Sequence, residues 1–285
     1  GPIDVLRELA QPLQLAPGEK YDRLLITERM DLLDTIEWED TIGYLRDFHE
    51  RLTQRDPHAD TLLYQVWPEI DRRAPEAWLA YVRAELYAWE CVAARVNEGL
   101  EMQGRGRVRV VPGGLVLAEL LQRALDGAVP GVNGSPAQRV DAIFSDGLHL
   151  RPIAIYLIAA LHYAALFGKS PLGAASAPPV DPTVVPLLQQ LAWDTLSSYK
   201  PRSPTFAECS ARFEREICPE YYRIRERATH VERCDIWARP DNPLSGALPA
   251  SNHLPLSSLG WRSGLALALL VTLGYGLFLP FHDSV

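Results

Sequence analysis

Residues 21–28 read Tyr-Asp-Arg-Leu-Leu-Ile-Thr-Glu, and the apolar run within this stretch is typical of a strand that is covered on both faces. Two further short apolar runs follow at residues 61–67 and 107–111. Between and after these runs, apolar residues recur at helical spacing. Strands that alternate with helices predict right-handed crossovers and a parallel sheet. We therefore expect an α/β fold with three layers, in which helices cover both faces of the sheet.

The spacing of apolar residues predicts helices at residues 3–13, 38–53, 75–100, 115–125, 152–167 and 184–199. Residues 126–140 are rich in Gly and Pro and are predicted to be a loop. The character of the chain changes after Tyr199. We expect an α/β domain over residues 1–199, a helical and linker extension over 200–258, and an apolar segment over 259–285.

Composition limits the possible functions. The chain has 285 residues, of which 47% are hydrophobic and 22% charged, as in soluble globular proteins. Its net charge of -8 argues against a nucleic-acid partner, because such proteins need a basic face. The spacing of its Cys and His residues fits no zinc pattern, so we expect no metal site.

The four cysteines are too few for a disulfide scaffold in a chain of this length. Cys91 falls in a helical pattern and is predicted to be a small buried apolar residue. Cys209, Cys218 and Cys234 all fall in the extension, where a disulfide can form if this part of the protein is exported.

The segment Phe-Ser-Asp-Gly-Leu-His, at residues 144–149, carries the clearest chemical signal. Asp146 and His149 are three residues apart in a loop, and the Asp-Gly pair permits a tight turn. The carboxylate can then hold the imidazole, which leaves the other ring nitrogen free to accept a proton from a hydroxyl. The alternative is that Asp146 only forms a turn and His149 only precedes a helix.

Residues 144–171, which read FSDGLHLRPIAIYLIAALHYAALFGKSP, resemble the last conserved block of the SGNH/GDSL hydrolases. Residues 21–28, 62–67 and 192–199 are similar to two strands and the closing helix of a bacterial branch of that family. The resemblance implies a flavodoxin-like sheet and hydrolysis of a carbohydrate or lipid acyl ester without a cofactor. A serine would attack the ester, His149 would act as general base, and Asp146 would orient the imidazole.

Members of this family carry the nucleophilic serine in a Gly-x-Ser element after their first strand. No such element precedes Tyr21, so we expect the first strand and the nucleophile to be missing and the chain to be inactive as it stands. The alternative is a non-catalytic binding or scaffold module that keeps the cleft of the fold.

Four further residues are candidates for contact with a small-molecule or saccharide ester. Thr27 and Glu28 stand at the end of a predicted strand, where ligands bind in open α/β sheets. Trp38 and Trp67 could line the same cleft, and the alternative for both is that they pack in the core.

Residues 264–280 are uncharged and rich in Leu, with Trp261 and Arg262 before them, so they are a possible membrane anchor. A short buried helix is the alternative. The family resemblance implies an exported or periplasmic protein, whereas the apolar segment implies association with a membrane, and the sequence leaves both localisations open.

Overall fold

A computed structural model describes residues 20–100, 104–176, 179–225 and 228–246. Within these ranges, three strands form a parallel sheet in sequential order: β1 (Arg23–Thr27), β2 (Asp60–Tyr64) and β3 (Val108–Val111). The register places Leu25 of β1 opposite Leu62 of β2. The predicted α/β class and the parallel sheet are confirmed.

The helices of the described part follow in chain order: α1 (Leu32–Trp38), α2 (Thr41–Arg55), α3 (Pro75–Asn97), α4 (Gly113–Leu125), α5 (Pro136–Ile143), α6 (Pro152–Phe167), α7 (Val185–Ser198), α8 (Phe206–Arg212) and α9 (Cys218–Ile224). A π-helical turn, Phe213–Ile217, joins α8 to α9. Two 3-10 segments follow at Ala228–Ala238 and Pro243–Ser245. The long helices α3, α6 and α7 match their predicted positions closely.

Three predicted boundaries are wrong for identifiable reasons. The helix predicted at 38–53 is interrupted, because Asp40 adopts a left-handed conformation and its side chain caps α2 at the N–H of Gly43. The loop predicted at 126–140 contains the start of α5, which a capping box between Ser135 and Gln138 stabilises. The strand predicted at 61–67 ends at Tyr64, so Trp67 lies beyond it.

Alternate side chains of the strands point to opposite faces of the sheet. Leu62 and Tyr64 belong to a hydrophobic cluster with α4, α6 and α7. Leu63 and Val110 belong to a second cluster with α1, α2 and much of α3. The sheet thus has helices on both faces, which is compatible with the predicted three layers.

The extension after residue 199 packs against the rest of the chain. Its buried side chains, among them Phe213, Tyr221 and Trp237, belong to the same cluster as α1 and α3. Leu244 is also fully buried, so the described end of the extension is packed as well. The α/β part before residue 199 and the extension after it therefore share one hydrophobic cluster.

Two disulfides fix this arrangement. Cys91 of α3 is bonded to Cys209 of α8, and Cys218 is bonded to Cys234. The prediction that Cys91 is merely a small buried apolar residue is wrong: it is fully buried, but it also forms a covalent link to the extension. Spacing could not reveal this pair because the two residues are 118 positions apart.

The helix predicted at residues 3–13 and the apolar segment at 264–280 lie outside the described residues. Among the helices that are described, none is long and apolar enough to span a membrane.

Candidate functional site

The loop that carries the predicted dyad is a closed turn. Phe144 and Leu150 form an isolated antiparallel bridge at its base. The backbone N–H and the side-chain hydroxyl of Ser145 both donate to the carbonyl of His149, at 2.8 and 3.1 Å. Phe144 is fully buried and packs edge-on against Trp78, with 5.6 Å between the ring centroids. The base of the loop is thus anchored in the core.

The structure brings Asp146 and His149 together. The Asp146 Oδ2 atom lies 2.7 Å from Nδ1 of His149. The Oδ1 atom accepts the backbone N–H groups of Leu148 and His149, each at 2.7 Å. These backbone bonds and the imidazole stabilise the carboxylate and lower the pKa of Asp146 to about 2. Asp146 is therefore ionised throughout the neutral pH range.

An ionised carboxylate can only accept hydrogen bonds, so Nδ1 of His149 must be the donor. In the neutral imidazole the lone pair then lies on Nε2. The side chain of His149 is 74% exposed, and no described residue forms a hydrogen bond with Nε2. A basic nitrogen, oriented by a carboxylate, therefore faces solvent.

The segment that follows β2 holds the dyad loop in place. The indole N–H of Trp67 donates to the carbonyl of Leu148 at 2.9 Å. The backbone N–H of Ile70 donates to the carbonyl of Gly147 at 2.7 Å. Arg72 donates to the carbonyl of Ser145 at 3.1 Å. Three carbonyls of the loop are thus bound by one neighbouring segment.

Gly147 allows the side chain of Glu69 to approach the loop closely. A Cβ atom at position 147 would lie 2.6 Å from the Oε1 atom of Glu69, so a larger residue there would require this exposed side chain to move. Sequence reasoning read Asp146-Gly147 as a turn and did not identify Ile70 and Arg72 as partners of the loop. Trp67 was a candidate to line the cleft or to pack in the core. Its indole N–H is bonded to the loop, and its contact with a substrate stays a prediction.

Thr27 and Glu28 lie at the end of β1 and are only 4% and 3% exposed. The hydroxyl of Thr27 donates to the carbonyl of Tyr64 at 2.6 Å. The Glu28 carboxylate accepts the backbone N–H of Arg29 and the hydroxyl of Thr41, and burial raises its pKa. In this conformation both side chains are bonded internally, and their contact with a substrate stays a prediction.

Trp38 lies elsewhere, at the end of α1 and beside the extension. Its side chain is exposed, and the guanidinium of Arg233 lies 5.2 Å from the centre of its ring. The structure therefore separates the four predicted substrate contacts into a buried pair, a residue bound to the dyad loop and an exposed aromatic ring.

His162 and Tyr64 form a buried contact of side chains, with 4.4 Å between ring centroids at a steep angle. Among the described residues, the Nε2 atom of His162 and the hydroxyl of Tyr64 have no hydrogen-bond partner. Burial lowers the pKa of His162 to about 4, so this imidazole is neutral at pH 7. Across the described ranges, no group of three or more His, Cys, Asp or Glu side chains is arranged to hold a metal ion.

Comparison of the chain with protein-family models, with curated proteins and with solved structures finds no match.

Proposed function

We propose that this protein is an SGNH-like hydrolase of acyl esters in which His149 is the general base and Asp146 orients it. The observation that carries the proposal is the 2.7 Å contact between the Asp146 carboxylate and Nδ1 of His149, with the opposite ring nitrogen exposed to solvent. The resemblance of residues 144–171 to the last block of the SGNH/GDSL hydrolases supports the same assignment.

In the proposed reaction, a serine hydroxyl supplied from outside the described residues attacks the ester carbonyl. Nε2 of His149 takes the hydroxyl proton as the new C–O bond forms, and the Asp146 carboxylate stabilises the imidazolium. The imidazolium then returns this proton to the leaving alcohol as the ester C–O bond breaks. Water repeats the sequence on the acyl-enzyme and releases the carboxylic acid.

An exported location belongs to the same proposal. Disulfides form and persist in oxidising compartments and are rare in the cytosol. The four cysteines of the chain are paired as Cys91–Cys209 and Cys218–Cys234. This pairing supports the export that the family resemblance implies.

A second candidate function, a non-catalytic binding module, is favoured by one observation. Ser145 is the serine adjacent to the dyad, and its hydroxyl donates to the carbonyl of His149, away from the ring. Among the described residues, no hydroxyl is bonded to Nε2 of His149. In this alternative the exposed imidazole binds a ligand and transfers no acyl group.

The two candidates differ in covalent chemistry. The chain of 285 residues, and the same chain extended by any residues that its gene encodes upstream, are each treated with a fluorophosphonate probe and with p-nitrophenyl acetate. The hydrolase proposal expects labelling and turnover in the extended chain. His149→Ala should then lower turnover by about 1000-fold or more.

The matched control is His58→Ala, which removes another exposed histidine and should leave turnover unchanged. Equal turnover in His149→Ala and in the unmodified extended chain would contradict the assignment of the base. An extended chain that is neither labelled nor active would decide for the binding module.

A further inference from the structure

A concave surface lies between the end of α1 and the extension, and the proposed hydrolysis does not use it. It encloses about 600 Å³. One wall consists of Ile36, Glu37, Trp38 and Asp40, and the other wall of Ile236, Arg239, Asp241, Asn242, Pro243, Ser245 and Gly246. We refer to it as the Trp38 groove.

An ion pair, a disulfide and buried hydrogen bonds hold the walls of the Trp38 groove in place. Arg233 of the extension forms an ion pair with Glu37 of α1, at 2.6 Å. The disulfide Cys218–Cys234 ties the segment that carries Arg233 to α9. The buried amide of Asn242 donates to the hydroxyl of Ser210 and to the carbonyls of Trp237 and Arg239. The groove is therefore preformed, which lowers the entropic cost of binding a ligand.

Trp38 gives the groove a flat apolar surface. Its side chain is the most exposed of the large hydrophobic residues described, at 68%. The guanidinium of Arg233 lies near its ring and restrains it by a cation–π contact. An exposed indole of this kind offers a rigid face to a ligand at little entropic cost, because only two side-chain angles are involved.

Charged side chains of both signs line the Trp38 groove. Glu37 is paired with Arg233, and the carboxylate of Asp40 accepts the N–H of Gly43. The side chains of Arg239 and Asp241 are exposed and form no hydrogen bond or ion pair with any described residue. Without a partner among the described residues, the guanidinium of Arg239 can donate hydrogen bonds to the hydroxyls of a neutral ligand, and the carboxylate of Asp241 can accept hydrogen bonds from them.

We propose that the Trp38 groove binds a neutral oligosaccharide. The C–H face of a sugar ring would stack on the indole of Trp38, while its hydroxyls bind Arg239 and Asp241. The volume falls in the range of about 300–1,000 Å³ found for small-ligand sites. If the proposed function is correct, the bound saccharide carries the ester that the dyad hydrolyses. Only this link between groove and dyad rests on the proposed function.

Isothermal titration calorimetry of the full chain tests the proposal with hexasaccharides of glucose, of a uronic acid and of glucosamine. The neutral glucose hexamer is expected to bind more tightly than the charged hexamers. Trp38→Ala and the double variant Arg239→Ala/Asp241→Ala should each weaken its binding by about tenfold or more, which corresponds to about 1.4 kcal/mol.

Phe167→Ala is the matched control, because Phe167 is another exposed aromatic residue, 61% accessible at the end of α6. Its affinity for the neutral hexamer should equal that of the unmodified chain. Thermal unfolding of each variant shows whether it is folded. The double variant tests the polar side chains of the groove without changing Trp38.

The proposal is overturned if the unmodified chain binds none of the hexamers or if the three groove substitutions leave the affinity unchanged. It is also overturned if a uronic acid hexamer binds best. The titration contains no ester, so its result does not depend on whether the protein hydrolyses esters.

Discussion

The carboxylate of Asp146 fixes both the backbone of its loop and the ring of His149. One oxygen accepts two backbone N–H groups, and the other accepts the imidazole N–H. The loop geometry and the orientation of the ring therefore depend on the same ionised group. The sequence suggested this pair from its spacing and from the family resemblance, because a local contact of this kind is encoded within a few residues.

Asp146→Asn should reverse the tautomer of His149. The Asn Oδ1 atom can still accept the two backbone N–H groups, but its amide nitrogen would face Nδ1, which must then accept. The imidazole hydrogen moves to Nε2, and general-base activity should fall by about 10⁴-fold, as expected for the wrong tautomer. Nitrogen NMR of the ring measures the tautomer directly.

Asp181→Asn is the control for this prediction. Asp181 caps a similar exposed turn through the N–H and hydroxyl of Thr183 and is not in contact with the dyad. A ring that keeps its hydrogen on Nδ1 in Asp146→Asn would show that the carboxylate does not set the tautomer.

At the scale of elements, the dyad loop is positioned by the segment after β2. Trp67, Ile70 and Arg72 bind three carbonyls of the loop. These bonds join residues about 80 positions apart in the chain, since Trp67 and Leu148 are separated by 81. A pattern within one stretch of sequence does not reveal such contacts. The candidate dyad could therefore be predicted, whereas the hydrogen bonds from the segment after β2 that hold its loop could not.

Trp67→Phe should loosen the loop while it keeps most of the ring packing. The substitution removes one hydrogen bond, worth about 0.5–1.5 kcal/mol, so hydrogen exchange at the Ser145 and Leu148 amides should rise by about two- to tenfold. The His149 ring should also become less ordered. A substitution that destabilises the protein away from the dyad loop would not have this effect. Trp38→Phe, at the exposed end of α1, should change neither quantity.

The elements that could be predicted have strong local signals. The helix α6 starts at Pro152 and ends before Gly168, which adopts a left-handed conformation. By contrast, the break before α2 depends on a positive φ at Asp40, which is uncommon for a residue other than Gly. The capping box of α5 was present in the sequence, but the surrounding Gly and Pro residues favoured a loop.

At the scale of the whole molecule, α3 connects the sheet to the extension and carries a buried carboxyl group. Glu85 of α3 is almost completely inaccessible and accepts a hydrogen bond from Tyr81 at 3.2 Å. Burial raises the pKa of Glu85 from its usual value of 4.5 to about 8. The folded protein therefore keeps a proton on Glu85 at neutral pH, whereas the unfolded chain releases it.

This difference makes stability depend on pH. Between about pH 4.5 and pH 8 the unfolded state binds fewer protons at Glu85, so the free energy of unfolding should fall as the pH rises. Glu85→Gln, which cannot ionise, should gain stability relative to the unmodified protein by up to about 4 kcal/mol between pH 5 and pH 8. Urea denaturation at a series of pH values measures this change.

Glu76→Gln, an exposed substitution in the first turn of the same helix, should follow the unmodified protein at every pH. If Glu85→Gln and the unmodified protein changed in parallel, Glu85 would not be the group responsible.

The bond between Cys91 and Cys209 closes a covalent ring of the chain that contains both Asp146 and His149. A single proteolytic cut within this ring would leave the two pieces joined, so the dyad would stay tethered to α3 even after the backbone is broken. Thiol reductants would open the ring and allow a cleaved fragment to leave. Nicked protein should therefore survive outside a cell longer than in a glutathione-rich cytosol.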